Sequence, residues 1–123
     1  MAIAQNAIGQ NWFDLLNIPL KGANDKFILM VGSTSCVACY EGMDTLLSIK
    51  QNIQNTRLLS LVVDENNGFN KMRALYGKEI DIFETTKSKM MELGITGVPM
   101  FLTLNSQGIV TNMDINFRRL IAN

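Results

Sequence analysis

The sequence has no histidine, and this absence excludes several kinds of chemistry at once. Without an imidazole there is no catalytic triad built on a histidine base, no histidine-ligated zinc or copper centre, and no histidine to carry protons at neutral pH. Cysteine is also scarce, with two residues in 123, which is too few for a scaffold held together by disulfides. Any chemistry must therefore come from thiols, carboxylates, lysines, the backbone and water.

Net charge and long apolar runs are missing as well. The 11 basic and 11 acidic residues cancel and are scattered, so nothing favours nucleic acid or an anionic membrane surface as a partner. No run approaches the ~18 apolar residues that would cross a membrane. Residues 1–10 lack the basic start and the continuous apolar stretch of a signal peptide. This leaves two origins open, a cytosolic protein or a trimmed mature domain behind a new initiator methionine.

The two cysteines lie three positions apart in Cys36-Val37-Ala38-Cys39, between two recognisable elements. Residues 27–31 are an unbroken apolar run, typical of a strand buried on both faces. Apolar residues at helical spacing follow over residues 40–54. Cys36 is therefore predicted at a helix start, where free N–H groups and the helix dipole favour a thiolate. Cys39 lies one turn further in, close enough to form a disulfide with it. This is the arrangement of a dithiol redox switch.

The remaining pattern predicts alternating strands and helices in one domain. Residues 57–64 are a second apolar strand, so strand, helix and strand make a βαβ unit with parallel strands. Later elements are predicted as a short helix over 69–76, a modest strand over 79–85, a helix over 86–94, a hairpin of 100–104 with 109–113, and a last helix around 117–121.

The amino-terminal part is less regular. Residues 12–20 form a short apolar segment in which Pro19 favours an edge strand or a bend. Residues 1–10 are predicted to be a flexible arm, followed by a single domain over residues 11–123, which is long enough for its own hydrophobic core.

These motifs resemble the thioredoxin superfamily over residues 27–121. The two diagnostic pieces are Cys36-Val37-Ala38-Cys39 and Ile95-Thr96-Gly97-Val98-Pro99. The resemblance implies an α/β thioredoxin fold (βαβ–ββα), with a central mixed sheet flanked by helices. It also implies a cis bond before Pro99, and substrate binding by Gly97, Val98 and Pro99 beside the cysteines.

About thirty additional residues, 66–95, predict a helix and a strand inserted between the second core strand and the cis-proline segment. This insertion is similar to that of the TlpA/ResA branch, whose members are extracytoplasmic thiol oxidoreductases, often tethered to a membrane. The resemblance therefore implies a periplasmic or other extracytoplasmic location, with a tether upstream of the sequence given, although a cytoplasmic location stays open.

The chain departs from the family pattern around the cysteines. Ser35 stands where a tryptophan usually precedes the first cysteine, and Met100 follows the proline where threonine is usual. Met30 replaces the buried acid of thioredoxins, and Ser60 replaces a lysine often found on the next strand. The usual proton acceptor for the second cysteine is thus missing, and Glu65, after the second strand, is a candidate proton relay in its place.

The resemblance implies a thiol–disulfide oxidoreductase. Cys36 would attack a partner's disulfide and Cys39 would resolve the mixed disulfide. The redox-active pair would need no organic cofactor, and no metal is expected. The partners would be dithiol or disulfide proteins rather than nucleic acid. The protein itself is expected to be a monomer. Two alternatives remain, a Cu(I) or zinc carrier using the same thiols, and a thioredoxin-fold interaction module without redox activity. The direction of electron flow is open.

Overall fold

A computed structural model describes residues 7–122. Five strands form one mixed sheet in the order β3–β2–β1–β4–β5. The strands are β1 (Lys26–Ser33), β2 (Thr56–Val63), β3 (Asp81–Thr85), β4 (Met100–Asn105) and β5 (Val110–Asp114). The helices are α1 (Trp12–Leu15), α2 (Val37–Ile49), α3 (Phe69–Tyr76), α4 (Lys87–Glu92) and α5 (Phe117–Ala122). None of the helices in the described part of the chain is both long and apolar enough to span a membrane.

The central strand β1 is paired on both edges, parallel to β2 and antiparallel to β4. Every residue of β1 after Lys26 is buried, because neighbouring strands cover its edges and other elements cover both faces. This explains why the strand is a continuous apolar run rather than an alternating one. The predicted βαβ unit is confirmed, with α2 connecting β1 to its parallel neighbour.

Alternate residues of β1 contribute to two separate parts of the core, one on each face of the sheet. One part includes Phe27, Leu29 and Val31, together with Trp12 from α1 and side chains of α4. The other includes Ile28, Met30, Cys39, Met43 and Leu46, the last three from α2. The second face therefore places the buried cysteine against the carboxyl-terminal part of β1, beside Gly32.

The predicted insertion is present and forms one edge of the sheet. It contributes α3, then β3, which pairs in parallel with β2, and then α4. The three parallel strands β1, β2 and β3 end at Ser33, Val63 and Thr85, at the same edge of the sheet. The carboxyl ends of parallel strands are where ligands bind in open α/β sheets. The insertion thus brings α4 beside the turn that holds the cysteines.

Two expectations for the amino-terminal part are corrected. The edge strand considered for residues 12–20 is absent, because Asn11 caps a single helical turn by accepting a hydrogen bond from the Asp14 N–H. Residues 7–10 do not belong to a flexible arm: Ala7 is fully buried, and the Gly9 N–H donates to the Val110 carbonyl at 2.8 Å. The rest of the predicted arm lies outside the described residues.

Candidate active site

Cys36 and Cys39 form a disulfide at the start of α2, with their Cα atoms 5.2 Å apart. Cys36 is the N-cap residue of this helix: its backbone is extended, and its sulfur accepts a hydrogen bond from the Cys39 N–H at 3.1 Å. Cys36 is partly exposed, whereas Cys39 is 0% exposed. A reagent or partner can therefore reach the first sulfur, which is also the one that the N–H groups of the helix start would stabilise as a thiolate.

The space beneath Cys39 is filled by Met30. A Cβ atom added to Gly32 would lie 2.9 Å from Met30 Cε and 3.1 Å from Cys39 Sγ, so these two atoms border the same point. A Cβ atom added to Gly42 of α2 would lie 2.7 Å from Met30 Sδ and 3.1 Å from the Phe101 ring. The two glycines thus let α2 approach β1 closely, with the methionine thioether packed between them.

A second departure from the family pattern, Ser60, lies directly beside Met30. Ser60 is its partner in the parallel register of β1 and β2. The Ser60 hydroxyl is fully buried and donates to the Met30 carbonyl at 3.0 Å. The floor beneath Cys39 therefore has no ionisable group where the family pattern has an acid and a lysine. Apolar surroundings of this kind disfavour a thiolate.

The turn before Cys36 has the opposite character. One carboxylate oxygen of Glu65 accepts hydrogen bonds from the hydroxyls of Ser33 and Ser35, the latter at 3.0 Å. The other oxygen pairs with the Lys87 ammonium of α4 at 2.8 Å. Glu65 thus connects the end of β2, the cysteine turn and α4.

These contacts determine the charge of Glu65. The Lys87 ammonium and then the Ser33 and Ser35 hydroxyls lower the pKa of Glu65 from 4.5 to about 2. The same ion pair raises the pKa of Lys87. A carboxylate with so low a pKa is ionised at neutral pH and is a weak proton acceptor. The geometry therefore favours a positioning role for Glu65 over the predicted proton relay.

A second set of hydrogen bonds holds the middle of the turn. Thr34 Oγ1 donates to an Asp64 carboxylate oxygen at 3.2 Å and accepts from the Glu65 N–H at 2.9 Å. The Thr34 carbonyl accepts from the Tyr40 hydroxyl at 3.2 Å. Because the turn is bonded at three successive residues, the position of Cys36 depends on the segment that follows β2.

Apart from Glu65, these supporting residues were not predicted from the sequence, although it contains a usable signal. Residues 33–35 carry three hydroxyl side chains in succession, and Asp64 and Glu65 directly follow the neighbouring parallel strand. Since parallel strands end at one edge, the hydroxyls and carboxylates were bound to meet there. Lys87 carries no such signal: its pattern indicates a solvated helix face, and its side chain is indeed 74% exposed.

Strand register brings the proline segment to the cysteines. Val31 of β1 pairs with Met100 of β4, so Pro99 stands one position beyond this pair, beside Gly32. This is the glycine whose added Cβ would lie 3.1 Å from Cys39 Sγ. The Val98–Pro99 peptide bond is cis.

The predicted substrate-binding residues are accessible. Gly97 and Val98 are exposed and Pro99 is half-buried, whereas Met100 turns into the core. Their part in substrate binding stays a prediction. Within residues 7–122, no group of three or more acidic or cysteine side chains is arranged to hold a metal ion.

The chain matches no protein-family model and no curated protein sequence, but solved structures are similar to it. The thioredoxin domain of a Bacteroides vulgatus thiol-disulfide oxidoreductase has a TM-score of 0.66 at 13% identity, covering 84% of this chain and 77% of that one. StoA from Bacillus subtilis has a TM-score of 0.60 at 22% identity, covering 80% and 77%.

A third similar structure is the exposed lipoprotein thioredoxin Etrx1 of Streptococcus pneumoniae, with a TM-score of 0.62 at 17% identity, covering 84% of this chain and 83% of that one. The mixed five-stranded sheet flanked by helices agrees with these structures. The predicted fold class is therefore confirmed: this chain has the thioredoxin fold.

Proposed function

We propose that the protein is a thiol–disulfide oxidoreductase that exchanges electrons with the disulfides or dithiols of other proteins. The observation that carries the proposal is the asymmetric pair at the start of α2, in which Cys36 is reachable and Cys39 is buried. A redox pair needs one sulfur that a partner can attack and a second that is held close enough to displace it.

In the reducing direction the reaction has two steps. The Cys36 thiolate attacks one sulfur of the partner's disulfide, forming a mixed disulfide and releasing a partner thiolate that takes up a proton. The Cys39 thiol then loses its proton and attacks the Cys36 sulfur, which closes the Cys36–Cys39 disulfide and releases the second partner thiol. Two electrons pass from the dithiol to the partner, and no organic cofactor takes part.

The segment beside the sulfurs is proposed to hold the partner's backbone. Gly97 and Val98 are exposed, and they precede Pro99, which the strand register places beside Gly32. We propose that their backbone groups bind an extended polypeptide. Contacts of this kind would fix the partner's cysteine against Cys36 long enough for exchange, without requiring a particular sequence of the partner.

The proposed place of action is outside the cytoplasm, with the protein acting as a monomer. The described likeness to an exposed lipoprotein thioredoxin supports this location, and disulfide partners are common in oxidising compartments. A membrane tether upstream of the sequence given would be in keeping with it. Fractionation of the native host, with the protein followed by antibody, tests the location.

Reduction of insulin by the pre-reduced protein, followed as turbidity, tests the activity. We expect catalysis that Cys36→Ser abolishes, while Ser48→Ala on the exposed side of α2 retains it. A protein that binds Cu(I) or zinc stoichiometrically after purification without chelator, yet reduces nothing, would instead be a metal carrier. Absence of both properties would leave a binding module without redox activity.

A further inference from the structure

The Tyr40 hydroxyl forms a hydrogen bond that spans the cysteine pair. Tyr40 directly follows Cys39 in the first turn of α2, and its hydroxyl donates to the Thr34 carbonyl at 3.2 Å. Thr34 lies two residues before Cys36. The hydrogen bond therefore closes a loop of chain around the smaller loop that the Cys36–Cys39 disulfide closes.

The acceptor side of this hydrogen bond is fixed to the sheet. Thr34 is 2% exposed, and its N–H donates to the Val63 carbonyl of β2 at 3.0 Å. Its hydroxyl donates to an Asp64 carboxylate oxygen and accepts from the Glu65 N–H. Because every polar group of Thr34 is bonded, its carbonyl is held in place at the edge of the sheet.

The donor side of the hydrogen bond is fixed to the helices. Tyr40 is half-buried, and its N–H donates to the Cys36 carbonyl at 3.4 Å. Its ring centroid lies 6.4 Å from that of Tyr76 on α3. A tyrosine side chain has only two rotatable bonds, so ordering it costs little conformational entropy. The Tyr40 hydroxyl therefore connects α2 to the turn after β1 without passing through either sulfur.

We propose that Tyr40 is a positioning residue of the redox pair, because its hydrogen bond to Thr34 holds Cys36 and Cys39 together when both are thiols. The hydrogen bond and the disulfide close nested loops, so each lowers the entropy that is lost in forming the other. By linkage, the hydrogen bond favours the disulfide by the same factor as the disulfide favours the hydrogen bond. This inference rests on the proposed function and adds a residue that sets the balance between the dithiol and disulfide forms.

The variant Tyr40→Phe tests the proposal, since it removes the hydroxyl alone. The protein is equilibrated with mixtures of reduced and oxidised glutathione, free thiols are alkylated, and mass spectrometry measures the dithiol and disulfide forms. The disulfide closes as two electrons and two protons pass from the cysteine thiols to oxidised glutathione, which becomes two molecules of reduced glutathione. We expect the equilibrium constant for disulfide formation to fall about threefold in Tyr40→Phe, which corresponds to about 0.7 kcal/mol. One hydrogen bond can supply an effect of this size.

Tyr76→Phe is the matched control. The Tyr76 hydroxyl also donates to a neighbouring element, to an Asp44 carboxylate oxygen of α2 at 3.0 Å, and its ring packs against the same Tyr40 ring. Asp44 follows the cysteines on α2, so this hydrogen bond does not span them. The control should keep the equilibrium constant of the unmodified protein.

A second measurement tests the reciprocal effect on stability. The Asn66 side-chain amide also lies 3.5 Å from the Thr34 carbonyl, so this carbonyl keeps a donor in Tyr40→Phe and the variant should fold. Urea unfolding compares the variant with the unmodified protein, once with the disulfide intact and once in excess reductant. We expect Tyr40→Phe to lose more unfolding free energy in the disulfide form, by the same threefold factor. An equal loss in both forms would show a purely structural role for the hydroxyl and would overturn the proposal.

The remaining outcomes are distinguishable. An unchanged equilibrium constant in Tyr40→Phe would overturn the proposal while leaving insulin reduction by the unmodified protein in place. An equal fall in Tyr40→Phe and Tyr76→Phe would also overturn it, since the effect would then belong to the aromatic pair as a whole. If the unmodified protein formed no Cys36–Cys39 disulfide in any glutathione mixture and reduced no insulin, the proposed function would fail and this inference with it.

Discussion

The two sides of the disulfide differ in almost every physical respect. On the side of Cys36, serine hydroxyls, the Glu65 carboxylate and the Lys87 ammonium form a connected polar network at the surface. On the side of Cys39, the thioether of Met30 and the Phe101 ring fill the space between β1 and α2. Cys36 is therefore partly exposed beside a polar turn, whereas Cys39 is enclosed by apolar atoms.

This difference separates the two chemical tasks of the pair. The attacking sulfur needs access and a stabilised anion, which the surface and the helix start provide. The resolving sulfur needs proximity and protection from solvent, which burial provides, but burial without a base also makes it harder for the thiol to lose its proton. We therefore expect the mixed disulfide to form faster than it is resolved at neutral pH.

The largest expected effect comes from replacing each of the two cysteines in turn. Cys36→Ser should lower insulin reduction by at least about a hundredfold, because the reachable nucleophile is lost. Cys39→Ser should instead accumulate mixed disulfides with partner proteins, which nonreducing electrophoresis detects. In the reduced protein, limiting iodoacetamide should label Cys36 first, as mass spectrometry of peptides would show. Preferential labelling of Cys39 would show that Cys39, not Cys36, is the reachable nucleophile.

The next effect concerns the apolar floor. Met30→Asp should lower the free energy of unfolding by about 3 kcal/mol, because it removes buried apolar volume and encloses a carboxylate without a partner. The same carboxylate should accept the proton of Cys39 and speed resolution of mixed disulfides at neutral pH by at least about tenfold. Denaturant unfolding and single-turnover kinetics measure the two effects.

Met30→Leu is the matched control for this variant. It preserves the apolar floor and should lower the free energy of unfolding by less than about 1.5 kcal/mol. It should not speed the resolution of mixed disulfides. If Met30→Asp left the resolution rate unchanged, proton loss from Cys39 would not limit turnover, and the account of the apolar floor would be wrong.

A smaller effect is expected on the polar side, from Glu65→Gln. Because folding lowers the pKa of Glu65 to about 2, its stabilising contribution is present above the ordinary value of 4.5 and is lost as the pH falls toward 2. The stability difference between the original protein and Glu65→Gln should therefore narrow over this interval. Urea unfolding at a series of pH values measures it.

The surface location of the ion pair keeps this contribution small. We expect Glu65→Gln to slow resolution at neutral pH by less than about threefold, because a group already held ionised is a weak base. Glu92→Gln, at another exposed ion pair of α4, is the control. Slowing of about tenfold that is specific to Glu65→Gln would instead identify Glu65 as the proton relay.

The smallest expected effect comes from removing the Ser60 hydroxyl, which is buried in the floor beneath Cys39. Ser60→Ala should cost about 1 kcal/mol, because the buried hydroxyl that bonds the Met30 carbonyl is lost. Ser48→Ala is matched to it, since Ser48 also donates to a backbone carbonyl, that of Thr45, but is exposed. A comparable loss of unfolding free energy in both variants would show that burial does not determine how much the hydrogen bond stabilises the protein.

Much of the fold could be predicted because its elements have strong local patterns. The apolar run of residues 27–31 predicted β1, and the helical spacing after the cysteines predicted α2. The Gly-Val-Pro segment predicted the entry into β4. The turn at residues 12–15 was not predicted, because a four-residue helix capped by Asn11 is too short to show a period. The burial of Ala7 was not predicted either, since one small residue in an irregular segment carries no pattern.

The features of the site also divide into those that a local sequence pattern shows and those that depend on distant contacts. The sequence by itself determined the cysteine pair, the missing acid at Met30 and the missing lysine at Ser60, because each is a property of one residue at one position relative to a motif. Only the tertiary structure decided that Lys87 pairs with Glu65, that Thr34 anchors the cysteine turn, and that α4 lines one cavity with the end of β1. These contacts join segments more than twenty residues apart. They depend on how β2 and β3 bring the chain back to the carboxyl edge of β1, which no local pattern specifies.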